Sequence, residues 1–191
     1  MKKALGPSMA AACLSLLLTG CGRHDAGAPQ PAAAPPAAPD TSALGAGPQA
    51  TNCGARAQEA LQRINAARAA GRRCGARYMA PAAALEWDEQ LYSAAFGHSA
   101  DMAQRNYFEH RSPAGTSVRD RVSAAHYKWR GLGENIAAGN RSIAEAVQAW
   151  LDSPEHCENL MDPKFVDVAV ACVAQPASEW GTYWTMVLGR K

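Results

Sequence analysis

Trp150-Leu151-Asp152-Ser153-Pro154-Glu155-His156-Cys157-Glu158-Asn159-Leu160-Met161-Asp162-Pro163 is the stretch whose reading decides the fold. Just upstream, Ser142-Ile143-Ala144-Glu145 has the form of a capping box, serine at the N-cap and glutamate at N3. Ile143, Val147, Trp150 and Leu151 then share one face at helical spacing. Pro154 ends that helix, because the residue before a proline is driven out of the helical region. His156 is therefore expected in a rigid, non-repetitive segment beside a buried face, with a half-cystine next to it. Two other stretches carry groups that could meet it: Phe108-Glu109-His110-Arg111-Ser112-Pro113 and Gly131-Leu132-Gly133-Glu134-Asn135-Ile136-Ala137. The expectation is a pocket containing His110, Glu134 and His156.

The rest of the chain supplies the frame. Ala57, Leu61, Ile64 and Arg68 follow helical spacing, and Gly71 closes that helix. Trp87, Leu91, Ala95, His98 and Met102 mark a longer helix with His98 on its apolar face, where a histidine is more often a bonded core residue than a ligand. Ser117 and Asp120 begin a short helix with Val118, Val122 and Ala125 inward. A loop with glycines at 131 and 133 leads to a strand around Glu134 to Ala138, and a glycine beside a strand glutamate leaves room for a close approach. Val166, Val168, Val170 and Cys172 alternate with Asp167, Ala169 and Ala171, a strand with one face inward. Thr182 to Leu188 is its hairpin partner. Helices and antiparallel strands without a βαβ rhythm give an α+β class.

With 191 residues, the chain holds one domain. A net charge of +2 argues against nucleic acid as a partner, and neither a G-x-x-x-x-G-K-[ST] nor a G-x-G-x-x-G nucleotide pattern occurs. Residues 1–20 have a positive start and an apolar run too short to span a bilayer, as a signal peptide does. Leu18-Thr19-Gly20-Cys21 resembles the lipobox of bacterial lipoproteins, which implies cleavage before Cys21 and a lipid on its thiol. Such an anchor makes the membrane a partner. Gly22 is not the aspartate that retains enteric lipoproteins at the inner membrane, so the outer membrane of the cell envelope is the expected location. Residues 21–52 are rich in Ala, Pro and Gly and read as a semi-rigid tether, with the folded domain at 53–191. Export fits the four remaining cysteines, Cys53, Cys74, Cys157 and Cys172, which can pair in three ways. The favoured pairing is Cys53–Cys74, which would brace the two ends of one helix and its following loop, and Cys157–Cys172, which would tie the His156 segment to the next strand. Zinc on the four cysteines is disfavoured, because paired C-x-x-C spacing is absent.

Taken in order, His98-Ser99-Ala100-Asp101-Met102, Phe108 to Pro113, Gly133-Glu134-Asn135-Ile136-Ala137, Trp150 with Ser153-Pro154-Glu155-His156, and Tyr183-Trp184-Thr185 resemble a bacterial member of the CAP superfamily. This superfamily comprises cysteine-rich secretory proteins, antigen 5 and pathogenesis-related 1 proteins, and its domain is also called SCP. The resemblance implies an α-β-α sandwich with a central antiparallel sheet between helical layers and a shallow cleft. That cleft often carries two histidines and two glutamates. His110, Glu134 and His156 match three of the four; Ser153 stands where the second glutamate is expected. Asn135, His98 and Ser153 are further candidates beside them.

Two imidazoles and a carboxylate have the donor chemistry of a divalent metal site such as zinc, with positions left open for water or substrate. Without metal, the same groups can bind a polar ligand or hold the loops together. Neither Ser112 nor Ser153 sits in a G-x-S-x-G elbow. The expected function is an exported, lipid-anchored envelope module whose His/Glu cleft binds a metal ion, a small ligand or a partner: lipid, glycan, peptide or protein. The alternative is a metal-dependent hydrolase acting on envelope or extracellular material.

Overall fold

The computed structural model describes residues 51–53 and 57–191. The signal peptide, Cys21 and all of the tether up to residue 50 lie outside the described residues. In order, the elements are β1 (Thr51–Asn52), α1 (Ala57–Ala70), β2 (Arg72–Cys74), β3 (Arg77–Met79), β4 (Glu86–Trp87), α2 (Glu89–Arg105), α3 (Val118–Ala124), β5 (Gly131–Ala138), α4 (Ile143–Asp152), α5 (Pro154–Met161), β6 (Asp167–Gln175) and β7 (Gly181–Arg190). Sheet order is β1-β6-β7-β5, with β4 also on β6; β2 and β3 form a separate hairpin. All pairings are antiparallel except the two-residue β4–β6 contact. Thr51 and Asn52, read in sequence as the end of the tether, pair with Ala174 and Val173.

Alternation along β6 separates the two helical layers, because successive side chains of a strand point to opposite faces. Val168, Val170 and Cys172 pack with residues of α1, α4 and α5, including Ile64, Trp150 and Leu160. Ala169 and Ala171 pack with Leu91, Ala94 and Ala95 of α2 and with Val122 of α3. The sequence expectation of one inward face for β6 is therefore corrected: both faces are covered, and Val168 to Val173 are all buried. Alanines on the α2 side hid this, since small residues alternating with valine mimic a half-exposed strand. Asp167 is buried too, and accepts a hydrogen bond from Tyr127 Oη at 2.6 Å.

Helix boundaries follow their caps. Asp88 caps α2 through the amides of Gln90 and Leu91, and left-handed Asn106 ends it. Trp87, grouped with this helix by its spacing, belongs instead to β4. Ser117 and Asp120 form a reciprocal capping box on α3. Ser142 caps α4 by accepting from the Glu145 amide, while the Glu145 carboxylate reaches the Arg141 amide, one residue before the expected one. Pro154 ends α4 as expected but also starts α5 as its first residue, a position where a missing N–H costs nothing. His156 thus sits on a helix rather than on an irregular segment. The strand expected around Glu134 already begins at Gly131.

The disulfides are Cys53–Cys172 and Cys74–Cys157, each with Cα atoms 5.4 Å apart. Neither sequence-favoured pair, Cys53–Cys74 or Cys157–Cys172, forms. Cys53 and Cys74 flank the 14 residues of α1, a rod about 21 Å long. Pairing of β1 with β6 instead lays Cys53 beside Cys172, whose carbonyl accepts from the Cys53 amide. Folding of the β2–β3 hairpin over α5 brings Cys74 to Cys157. Fully buried Arg68 fixes α5 from the other side, donating to the carbonyls of Ala83, Leu160 and Asp162.

Candidate functional site

A cleft of about 590 Å³ opens between the loop after α2, strand β5, helix α5 and the β2–β3 hairpin. His110, Glu134, Asn135 and His156 all line it, with Arg77 and Met79 from the hairpin and Asn159 from α5. The three residues expected to share a pocket are therefore brought together from separate elements. The rings of His110 and His156 have centroids 6.4 Å apart.

Glu134 is the fixed point. Its side chain is only 4 % exposed, yet both carboxylate oxygens are engaged. His110 Nδ1 lies 2.9 Å from Oε1, and Arg121 donates to Oε2 at 2.6 Å. Arg121 also donates to the carbonyls of His110 (3.1 Å) and Thr116 (3.1 Å), so one guanidinium holds the carboxylate and the loop that carries its histidine. The capping box of α3 sets Arg121 one residue after Asp120. Arg121 is not legible as a site residue, because on sequence it is one of several charged residues on a short helix.

His156 is held through its backbone. Asn135, fully buried, donates to the His156 carbonyl at 2.9 Å, and Asn159 donates to Asn135 Oδ1 (2.8 Å) and to the Glu134 carbonyl (3.2 Å). Gly133 makes this possible: a Cβ there would collide with Asn159 and come within 2.9 Å of Phe165. The close approach expected beside Glu134 is thus made by the protein's own α5. Among the described residues nothing hydrogen-bonds the ring nitrogens of His156.

Electrostatics separate the two histidines. The hydrogen bond to Glu134 raises the His110 pKa above its ordinary 6.5, against the effect of partial burial. Burial lowers the His156 pKa, and the like charge of His110 adds to this. Burial alone would raise Glu134, but the bond from His110 and the charge of Arg121 outweigh it and hold the carboxyl below 4.5. At neutral pH, Glu134 is an anion and His156 a neutral base. Glu155, Glu158 and Asp162 add acidic groups to the cleft wall, which Arg77 and Lys164 also line, and Arg77 pairs with Glu158 at 3.0 Å.

Of the further candidates Asn135 lines the cleft, whereas His98 and Ser153 lie elsewhere. His98 is buried in α2, its Nε2 donating to the Glu109 carbonyl at 3.0 Å, and it lines a different cavity. Ser153 sits at the α4–α5 junction and does not line the cleft. Among the described residues no group of three His, Cys, Asp or Glu is arranged to hold a metal ion. Both oxygens of Glu134 already have protein partners. His110 Nδ1 faces Glu134, and among the described residues no hydrogen bond engages His110 Nε2 or the ring nitrogens of His156.

A family model described as the cysteine-rich secretory protein family (CAP) matches residues 61–188. Two Bacillus subtilis proteins are similar in sequence. The uncharacterized protein YkwD is 37% identical over 101 residues, 53% of this chain and 37% of that protein. The uncharacterized membrane protein YlbC is 39% identical over 88 residues, 46% of this chain and 25% of that protein. This chain thus spans well under half of either relative. Among solved structures, an extracellular SCP-domain protein from Bacillus anthracis aligns with a TM-score of 0.59 at 30% identity, covering 71% of this chain and 40% of that one. An outer surface protein of Borrelia burgdorferi shares the fold with a TM-score of 0.50 at 20% identity, covering 56% of this chain and 77% of that one.

Proposed function

The chain belongs to the cysteine-rich secretory protein (CAP) family, and from that premise we propose that it is an exported envelope module whose cleft binds a divalent metal ion such as zinc through His110 and His156. The observation that carries this reading is the orientation of His110. Glu134, itself clamped by Arg121, engages Nδ1 and leaves Nε2 for a ligand. A carboxylate behind a metal-binding histidine fixes its tautomer and raises its basicity. Glu134 then acts as a positioning residue rather than as a third ligand. The lowered pKa of His156 keeps its ring unprotonated and able to donate a lone pair at neutral pH. Two protein donors leave most of the coordination sphere to water or to a polar ligand, so the metal is exchangeable. When bound, a divalent ion lowers the pKa of its water and polarises a ligand oxygen.

Binding is favoured over hydrolysis. Catalytic zinc sites hold the ion with about three protein ligands, and no hydroxyl nucleophile lines this cleft among the described residues. The envelope location and the lipid anchor at Cys21 belong to the same proposal. Leu18-Thr19-Gly20-Cys21 and the two disulfides support them, as does the extracellular or surface description of the similar structures. No described helix is long and apolar enough to cross a membrane.

Calorimetric titration of zinc into the wild type and His156→Ala at neutral pH tests the proposal. Saturable binding that His156→Ala removes is expected; heat that is identical for the two proteins would overturn it.

A further inference from the structure

The start of β5 and the end of β7 meet at one end of the sheet, where basic residues collect. Gly131 pairs with Arg190, and the Arg130 amide donates to the Arg190 carbonyl at 2.8 Å. A Cβ on Gly131 would come within 2.9 Å of Arg190 Nε, so that guanidinium lies against the strand start next to Arg130. Here too is an open recess of about 450 Å³, lined by His126, Lys128, Arg130 and Lys191 with the rings of Tyr127 and Trp129. No carboxylate side chain lines it among the described residues. Arg119 extends the group from α3: its Cζ lies 5.8 Å from the Trp129 ring centroid, and Trp129 Nε1 donates to Ser123 at 3.1 Å.

The acidic residues on the surrounding elements are Glu86, Asp88, Asp120 and Asp167. Lys191 pairs with Asp88 at 3.1 Å and reaches Asp167 at 3.6 Å, and is thereby neutralised. Asp120 is bonded to Ser117, and exposed Glu86 makes no ion pair among the described residues. Arg119, Lys128, Arg130 and Arg190 are all exposed, and among the described residues no ion pair or hydrogen bond engages their side chains. Elsewhere on the surface Arg63, Arg105 and Arg141 each pair with a carboxylate four residues away. Like charges gathered without partners repel, so this end of the sheet gains from an anionic surface.

A further observation is apolar. Val166 is 50% exposed, and of the large apolar residues described only Tyr78 is more so. Its amide donates to the Gly189 carbonyl at 3.0 Å, beside the strand end that carries Arg190. Cations next to a half-buried tryptophan and an exposed aliphatic side chain match the headgroup layer of a bilayer, which takes up aromatic rings and attracts basic residues. A nucleic acid would engage the cations but give Val166 no role, and a net charge of +2 gives the chain little general attraction for it.

We propose that this end of the sheet docks on an anionic phospholipid surface, with Arg119, Lys128, Arg130 and Arg190 among the phosphates and Trp129 and Val166 at headgroup level. The inference rests on the envelope location proposed above. A lipid at Cys21 would hold the domain near a membrane without choosing which face meets it; these residues choose it.

Sedimentation with vesicles of equimolar phosphatidylglycerol and phosphatidylcholine tests this. The chain from residue 21 onward keeps the whole described core, and Cys21→Ser leaves it unlipidated. Binding is expected to these vesicles, to fall steeply as salt is raised, and to be weak on phosphatidylcholine alone. Each Lys or Arg near such a surface is worth about 1 kcal/mol, or about fivefold, so Lys128→Ala/Arg130→Ala/Arg190→Ala should bind on the order of 100-fold more weakly. Arg63→Ala/Arg105→Ala/Arg141→Ala, with the same loss of charge elsewhere, should stay within about threefold of the parent. Equal binding to neutral vesicles, equal losses in the two triple variants, or retention by a DNA oligonucleotide but not by the vesicles would each overturn the proposal. The salt series on the parent decides the matter even if a variant does not fold. Mass spectrometry of the wild-type N-terminus tests the anchor separately, so anchor and docking surface can fail independently.

Discussion

Arg121→Met isolates the contact on which the cleft is built. The Arg121–Glu134 pair is nearly buried, with side chains 10% and 4% exposed. Removing one partner of a buried pair costs roughly 3–5 kcal/mol, because the other charge is left without its counter-ion. His110 still bonds Glu134, so the low end, about 3 kcal/mol, is expected. For a chain of this size that corresponds to a fall in Tm of about 6–12 °C. The pH dependence follows from the sign of the shift. Glu134 is held below 4.5, so its contribution is present above the unfolded carboxylate pKa and is lost as pH falls through the lowered folded value. Without Arg121 one of the groups that offset burial is gone, so the carboxyl takes up a proton more readily. The gap between variant and wild type should therefore be widest at neutral pH and narrow in acid. Urea unfolding across that range measures it, with Arg121→Lys as a partial rescue, since an ammonium cannot reproduce the planar fork that spans three acceptors. A difference below about 1 kcal/mol at pH 7, or one that does not change with pH, would refute the argument.

Three further outcomes are expected. Non-reducing peptide mapping should recover Cys53–Cys172 and Cys74–Cys157, and the Cys74→Ser/Cys157→Ser double variant should lose about 4.5 kcal/mol by the chain-entropy relation for a separation of 83 residues. Gly133→Ala should destabilise by roughly 1–3 kcal/mol, read by thermal unfolding, because Asn159 and Phe165 occupy the space of the new methyl. Zinc affinity should fall as pH drops and begin to do so above 6.5, because the proton leaves His110 at a raised pKa, whereas His156, with its lowered pKa, stays available; calorimetry from pH 8 to 6 measures the onset.

What is legible in the sequence is local. Capping serines, helical spacing and the β6–β7 hairpin are written in neighbouring residues, and they place α1, α3, α4 and the last two strands. His110, Glu134 and His156 can be named because each stands in a short motif. The partners that fix them cannot. Arg121 reaches Glu134 through a tertiary contact, and Asn159 reaches β5 because Gly133 has no side chain; neither leaves a mark on its own stretch. The disulfides escape for the same reason. A brace across α1 favours Cys53 with Cys74 on sequence, but that rigid helix holds them apart, and strand pairing, which sequence periodicity does not specify, decides which cysteines meet. Pro154 reads as a stop when it is also a start, because the residues after it, Glu155 to Met161, are too few to show a helical period.

The central claim is that Glu134 turns His110 so that Nε2 meets the metal. Long-range ¹H–¹⁵N NMR of the histidine side chains during a zinc titration reads it directly. The account predicts that His110 Nε2 and one ring nitrogen of His156 shift on binding while His110 Nδ1 stays protonated and bonded to Glu134. A zinc-dependent shift at His110 Nδ1, or none at either histidine, would contradict it.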